Sequence, residues 1–168
     1  VTAYSGEDSI LFTKSGSYAA NIEKAISIPK ESKPLLNFNQ TLIKTPNQKT
    51  IEDICKFNNL EATQIVKVII YISEFEDNTK VPIAVCIRGD QSINEIKIFN
   101  LLNEMYDSNL INLSIIENKS SFNKNFSNIP IGYLGPDVSD EFINKNSPWE
   151  KQWIRIVDYS ASKLESFI

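Results

Sequence analysis

Ile65-Val66-Lys67-Val68-Ile69-Ile70-Tyr71-Ile72 and Val81-Pro82-Ile83-Ala84-Val85-Cys86-Ile87-Arg88, separated by the turn-prone Glu76-Asp77-Asn78-Thr79, decide the fold. Both runs are dominated by β-branched side chains, which fit a pleated sheet and lose rotamer freedom in a helix. The first predicts a central strand and the second its antiparallel hairpin partner. Upstream, Thr50 is placed to cap a helix whose first turn carries Glu52 and Asp53 and whose apolar face is Ile51, Ile54, Cys55 and Leu60; Asn58-Asn59 ends it. Downstream, Gly89-Asp90 stops the second strand, and Ile93, Ile96, Phe99, Leu101 and Leu102 then recur at helical spacing. That helix begins at Asn94, Glu95 and Lys97, above a strand end. Leu110 to Ile116 and Trp153 to Asp158 predict two further strands. The fold class is α/β: a mixed, mainly antiparallel sheet with helices packed on it.

The chain has 168 residues, 17 basic against 21 acidic side chains for a net charge of −4, and no histidine. This length supports one domain with a real core. The missing histidine excludes Ser-His-Asp and Cys-His nucleophiles, an HExxH zinc site and an imidazole base. Cys55 and Cys86 are too far apart for a metal knuckle and read as buried free thiols, a distant disulfide being the alternative. No metal site is expected.

Val1 to Ser9 show no basic flank leading into an apolar run, and no apolar segment approaches the roughly 18 residues that a membrane span requires. The expectation is a cytoplasmic protein with no membrane partner, whose Asn-x-Ser/Thr triplets at Asn39, Asn112 and Asn118 are incidental. A pI near 5.0 argues against a protein that coats nucleic acid indiscriminately.

Residues 1–28 hold two short periodic runs, Ser9 to Thr13 and Tyr18 to Ile22, around the turn-rich Lys14-Ser15-Gly16-Ser17. Pro29, Ser32 and Pro34 then break regular structure before Leu36 to Gln40 run into Thr45-Pro46-Asn47. This piece is too short to own a core.

A series of short motifs now lines up: Thr45-Pro46-Asn47, Lys49-Thr50-Ile51-Glu52-Asp53, Ile65-Val66-Lys67, Ile87-Arg88-Gly89-Asp90, Asn94-Glu95-Ile96-Lys97, Gly132-Tyr133-Leu134-Gly135-Pro136 and Val157-Asp158. In this order, over nearly the whole chain, they resemble the editing insertion of bacterial prolyl-tRNA synthetases, a family related to free-standing deacylases of mischarged tRNA. Tyr4-Ser5-Gly6-Glu7-Asp8 and Ser17-Tyr18-Ala19-Ala20-Asn21 resemble the strip of catalytic domain that leads into that insertion.

The resemblance implies a division at residue 40, with a strip of catalytic domain and linker over 1–40 and the editing domain over 41–168. It implies hydrolysis of alanine wrongly attached to tRNA(Pro), within a synthetase that charges proline. The implied partners are the acceptor end of that tRNA carrying alanine and the remainder of the synthetase, itself expected to be a homodimer. Nothing resembles the ATP-binding motifs of the parent enzyme, so ATP and Mg are expected only in its catalytic domain and no cofactor on these residues. A family stretch that borders the pocket is expected to begin beyond Ile168, and any functional histidine would lie there.

The family's central functional residue, the lysine of its Asn-Glu-x-Lys motif, falls on Lys97; a cation at a helix start can hold a carbonyl oxygen, a terminal phosphate or a water. The family's Gly-x-x-x-Pro loop falls on Gly132, Gly135 and Pro136, where backbone N–H groups can converge on an anionic oxygen. Substrate binding is expected from Arg88, Gly89, Asp90, Asn94 and Asp158. In this reading Gly89 makes a turn and Asp90 caps the helix carrying Asn94 and Lys97. Arg88 meets the tRNA backbone or pairs with a carboxylate, and Asp158 orients the substrate amino group or accepts backbone N–H bonds. Val68 stands where relatives carry a hydroxyl residue, so no threonine role is carried over. One face of the Ile83 to Ile87 strand walls the pocket, either Ile83, Val85 and Ile87 or Ala84 and Cys86. Trp149 and Trp153 are candidates to stack on the terminal adenosine, or to fill the core. The chemistry is feasible without imidazole, because an aminoacyl ester is already activated and needs a positioned water, an oxyanion donor and a selective pocket. The rival reading is a non-catalytic module that keeps the fold and only binds tRNA or a protein.

Overall fold

A computed structural model describes residues 9–26, 28–35, 45–116, 128–146 and 153–168. Tyr4 to Asp8, Asn39, Asn118, Trp149 and the division at residue 40 lie outside the described residues. The body is a four-stranded sheet built on the hairpin of β3 (Val66–Phe75) and β4 (Lys80–Arg88), which pair antiparallel from Val66 opposite Arg88 to Glu74 opposite Lys80. β5 (Leu110–Ile115) adds antiparallel to β3, and β6 (Ile154–Val157) adds parallel to β4, giving the order β5-β3-β4-β6. The mixed, mainly antiparallel sheet expected from the sequence is the one found. Pro82, which lacks an N–H, sits just outside the stretch of β4 that β6 pairs with.

Period-2 alternation divides the side chains of the hairpin between two cores. Val66, Val68, Ile70, Ile72, Ala84 and Cys86 face one way, covered by Ile129, Ile131, Ile143 and Trp153. Tyr71, Phe75, Val81, Ile83 and Val85 face the other way, covered by Ile98 and Leu102 of α2 (Glu95–Met105). Trp153 therefore belongs to the core. Cys55 and Cys86 are free thiols, Cys86 buried and Cys55 half-buried, and burial is the main cause raising both pKa values.

α1 (Ile51–Asn58) starts at the Thr50 cap expected from the sequence, and the structure makes it reciprocal: Thr50 Oγ1 accepts from Asp53 N–H, and the Asp53 carboxylate accepts from Thr50 N–H. Asn59 ends it at φ 54°. The N-terminal runs form the hairpin of β1 (Ile10–Phe12) and β2 (Ala19–Asn21), turning at Gly16 with φ 70°. β1 owns no core, since Ile10, Leu11 and Phe12 are 52–69% exposed. Two helices had no counterpart in the sequence reading, α3 (Asp140–Asn146) and α4 (Tyr159–Ser162).

The turn after β4 depends on its glycine for space. Gly89 N–H donates to Ile65 C=O at 2.7 Å, and a Cβ at Gly89 would lie 2.7 Å from the Ala62 carbonyl oxygen and 3.3 Å from both Ile51 Cγ2 and Ile65 Cβ. Gly89→Ala is expected to destabilise the fold by about 1–3 kcal/mol through this overpacking. Urea unfolding measures it, and an unchanged midpoint would contradict the account.

Candidate functional site

The stop after β4 is built by charge. Arg88 is 2% exposed; its Nε and Nη2 donate to the two oxygens of Asp90 at 2.6 and 2.9 Å, and its Nη1 donates to Lys30 C=O at 2.6 Å. The Arg88 guanidinium holds the Asp90 carboxyl below its usual range. Arg88 thus pairs with a carboxylate, the second of the two roles expected for it. The expectation that Asp90 caps the following helix is corrected: Asn94 caps α2, its Oδ1 accepting from Ile96 and Lys97 N–H at 3.1 and 3.4 Å. The reason is local. Arg88 and Asp90 stand two residues apart at a strand end, so their side chains meet, and the carboxylate is consumed there.

Two further contacts fix this corner. Lys67, half-buried on β3, donates from Nζ to Gln91 C=O at 2.7 Å, and burial lowers its pKa with Asp90 opposing. Tyr71 donates its hydroxyl to Glu95 Oε1 at 3.1 Å, and its pKa is pushed up to about 12, chiefly by burial. Lys67 carries a signal in retrospect, as a lone cation inside an apolar strand.

Between β4, β6 and the start of α2 lies a cavity of about 200 Å³. Its apolar wall is Val85, Ile87, Ile93, Ile98, Leu101 and Ile156, so of the two faces of the Ile83 to Ile87 strand the odd-numbered one borders this cavity, through Val85 and Ile87 and without Ile83. Its polar lining includes Gln91, Asn94, Lys97 and Asp158. Three expected site residues, Asn94, Lys97 and Asp158, therefore come together from two helix starts and a strand end. Asp158 caps α4, its Oδ1 accepting from Ser160 N–H at 2.8 Å and from the Ser160 hydroxyl. Lys97 donates from Nζ to the Ala25 carbonyl, and Asn94 Nδ2 donates to Ile22 C=O at 3.2 Å. The segment that follows β2 is thus bonded to two of the cavity's polar side chains.

The loop Gly132 to Pro136 lies elsewhere. Gly132 adopts φ 88°, and Leu134 of that loop packs against the core on the other face of the sheet. Arg155 braces the residues after it, donating to Val138 C=O at 2.5 Å and to Asp140 Oδ1 at 2.7 Å. Gly132, Gly135 and Pro136 do not line this cavity. Among the described residues, no group of three or more His, Cys, Asp or Glu side chains could hold a metal ion, and no helix is long and apolar enough to cross a membrane.

An exposed cation and a half-buried carboxylate at the mouth of a small apolar cup suit a ligand with an aliphatic group, an ammonium and an oxygen of developing negative charge. Comparison with known proteins bears on which. The family described as "Aminoacyl-tRNA editing domain" matches residues 45–136, more than half of the chain and including Lys97. The chain belongs to the aminoacyl-tRNA editing domain family. This editing domain is 59% identical over all 168 residues to a protein named "Proline--tRNA ligase" from Prochlorococcus marinus subsp. pastoris, and 58% identical over the same length to one of that name from Prochlorococcus marinus strain MIT 9515. A third of that name, from strain NATL2A, is 47% identical over the whole chain. The editing domain spans 28% of the length of each of these relatives.

Proposed function

We propose that this chain is the editing domain of a proline-tRNA ligase and that it hydrolyses the ester joining alanine to tRNA(Pro). The observation that carries the reading is the cavity of about 200 Å³ that brings Lys97 and Asp158 together within the editing fold. The methyl group of alanine rests on Val85, Ile87 and Leu101. Its ammonium pairs with the Asp158 carboxylate through Oδ2, since Oδ1 is engaged by Ser160. Lys97 exchanges the Ala25 carbonyl for an oxygen of the substrate, where a cation gains most as negative charge develops. Water attacks the ester carbonyl carbon, the bond to the ribose oxygen breaks, and that oxygen takes up the proton as alanine leaves. Neither thiol serves as nucleophile: Cys86 lies on the other face of the sheet, and both thiols have raised pKa values. ATP-dependent proline activation, with its Mg, is assigned to the rest of the ligase.

A net charge of −4 makes the untethered chain a weak tRNA binder, so deacylation in isolation is expected to be slow and strongly dependent on protein concentration. Release of labelled amino acid from alanyl-tRNA(Pro) and prolyl-tRNA(Pro) tests the reading. Alanine release that rises with the concentration of this chain, with prolyl-tRNA spared, is the expected result. Equal loss of both amino acids, or of neither, would sink it.

A further inference from the structure

The segment that leaves β2 is shaped before it reaches α2. The Asn21 carbonyl accepts from Lys24 N–H at 3.2 Å and from Ala25 N–H at 2.9 Å, and its side-chain Oδ1 accepts from Lys24 N–H at 3.0 Å. The Tyr18 hydroxyl then accepts from Ile26 N–H at 2.9 Å. Residues 22–26 therefore form a short strap whose turn is set by β2 and the residue before it.

α2 grips this strap with one polar stripe. Asn94, Lys97 and Asn100 recur at every third position and so lie along one side of the helix. Asn94 Nδ2 donates to Ile22 C=O at 3.2 Å, Asn100 Nδ2 donates to Glu23 Oε2 at 3.3 Å, and Lys97 Nζ donates to the Ala25 carbonyl. Asn94 and Lys97 are also the polar side chains that α2 and its cap bring to the cavity, whereas no residue of the strap lines it. Asn94 is committed at both ends, its Oδ1 to the helix cap and its Nδ2 to the strap. The group that Lys97 holds is the carbonyl of an alanyl unit, the same acceptor that an alanyl ester would present to it.

We infer that residues 22–26 are an autoinhibitory strap: the Ala25 carbonyl stands in for the ester carbonyl on Lys97, and the strap lifts from the Asn94-Lys97-Asn100 stripe when a ligand is held. The inference rests on the proposed function, which gives Lys97 an ester carbonyl to hold. Its consequence is a tax on affinity. The apparent dissociation constant is raised by the fraction of molecules in which the strap is down. Tyr18, Glu23 and Asn100, which lie outside the cavity, set that fraction.

The test uses the full 168-residue chain and 3′-deoxy-3′-(L-alanylamino)adenosine, an amide isostere of the ester that is not hydrolysed, with binding followed by calorimetry. Tyr18→Phe removes the acceptor for Ile26 N–H, and Glu23→Ala and Asn100→Ala remove one bond from its two ends. Each is expected to tighten binding about threefold, the size of one modest hydrogen bond, and the Glu23→Ala/Asn100→Ala double variant is expected to gain no more than either alone. Hydrogen exchange in residues 22–26 is expected to rise when the probe binds, and to rise without probe in Lys97→Ala. Circular dichroism melting of each variant confirms the fold. Unchanged or weaker binding in Tyr18→Phe and Glu23→Ala, a strap that stays protected in the bound protein, or no binding by any of these proteins would overturn the inference. Release of alanine from alanyl-tRNA(Pro) is measured alongside. If the affinity gains and the exchange appear while no ester is cleaved, the proposed chemistry fails and the strap stands.

Discussion

Lys97→Ala is expected to abolish alanine release to within the background, a loss of at least about 100-fold, while melting at nearly the wild-type temperature. The size follows from the role: removing one preorganised donor to a developing oxyanion costs about 100- to 1,000-fold in rate. The preserved fold follows from the position. Lys97 is exposed, its aliphatic stem leaves the α2 core of Ile98 and Leu102 intact, and α2 keeps its Asn94 cap, so the stability change stays within about 0.5 kcal/mol. Among the described residues its ammonium donates to the Ala25 carbonyl, and losing that bond releases the segment after β2. Lys97→Arg keeps the charge but replaces a compact ammonium with a planar fork, and an intermediate rate is expected. Deacylation of alanyl-tRNA(Pro) by the three proteins at equal concentration is the measurement. Full activity in Lys97→Ala would remove this residue from the chemistry.

Asp90→Ala is the largest expected loss of stability. It leaves the Arg88 guanidinium, 2% exposed, with Lys30 C=O as its remaining partner among the described residues, and orphaning one member of a buried pair costs about 3 kcal/mol or more. The same pair makes stability depend on acid. Because Arg88 depresses the Asp90 pKa in the folded state, the pair contributes fully above the ordinary carboxylate range near pH 4, and the contribution is lost as pH falls through the depressed value. Urea unfolding of wild type and Asp90→Ala at pH 7 and pH 3 checks both statements: the gap between the two proteins is wide at pH 7 and narrows at pH 3. A gap independent of pH would refute the assignment of this charge pair.

The features legible in the sequence were those set by neighbours in the chain. β-branched runs predict the hairpin, Thr50 predicts the start of α1, and the spacing of Ile93, Ile96, Phe99, Leu101 and Leu102 predicts α2. The identity of the cap on α2 was not legible, because Asp90 and Asn94 are both good caps and only the burial of Arg88 decides between them. Yet opposite charges two apart at a strand end were a readable hint of that pair. α3 was missed although Ser139, whose hydroxyl accepts from Phe142 N–H at 3.1 Å, precedes Asp140 and Glu141 in the pattern of a helix start. Motif order singles out Lys97, Asn94 and Asp158, which line one cavity, but which strand face that cavity shares is a property of how α2 lies on the sheet. The position of the Gly132 to Pro136 loop, on the other face, depends on Leu134 and Arg155 contacts that join segments distant in sequence.

The parallel pairing of β6 with β4 sets an order of assembly. β3 and β4 are joined by a tight turn and can zip together as soon as both exist, whereas Ile154 must return to Ile83 across nearly half the chain, a loop closure that comes late. The chain emerging from the ribosome therefore holds Lys97 and the α2 wall of the cavity before it holds Ile156 and Asp158. During synthesis the cavity exists first as an open half, and it gains its remaining wall when the last strand docks.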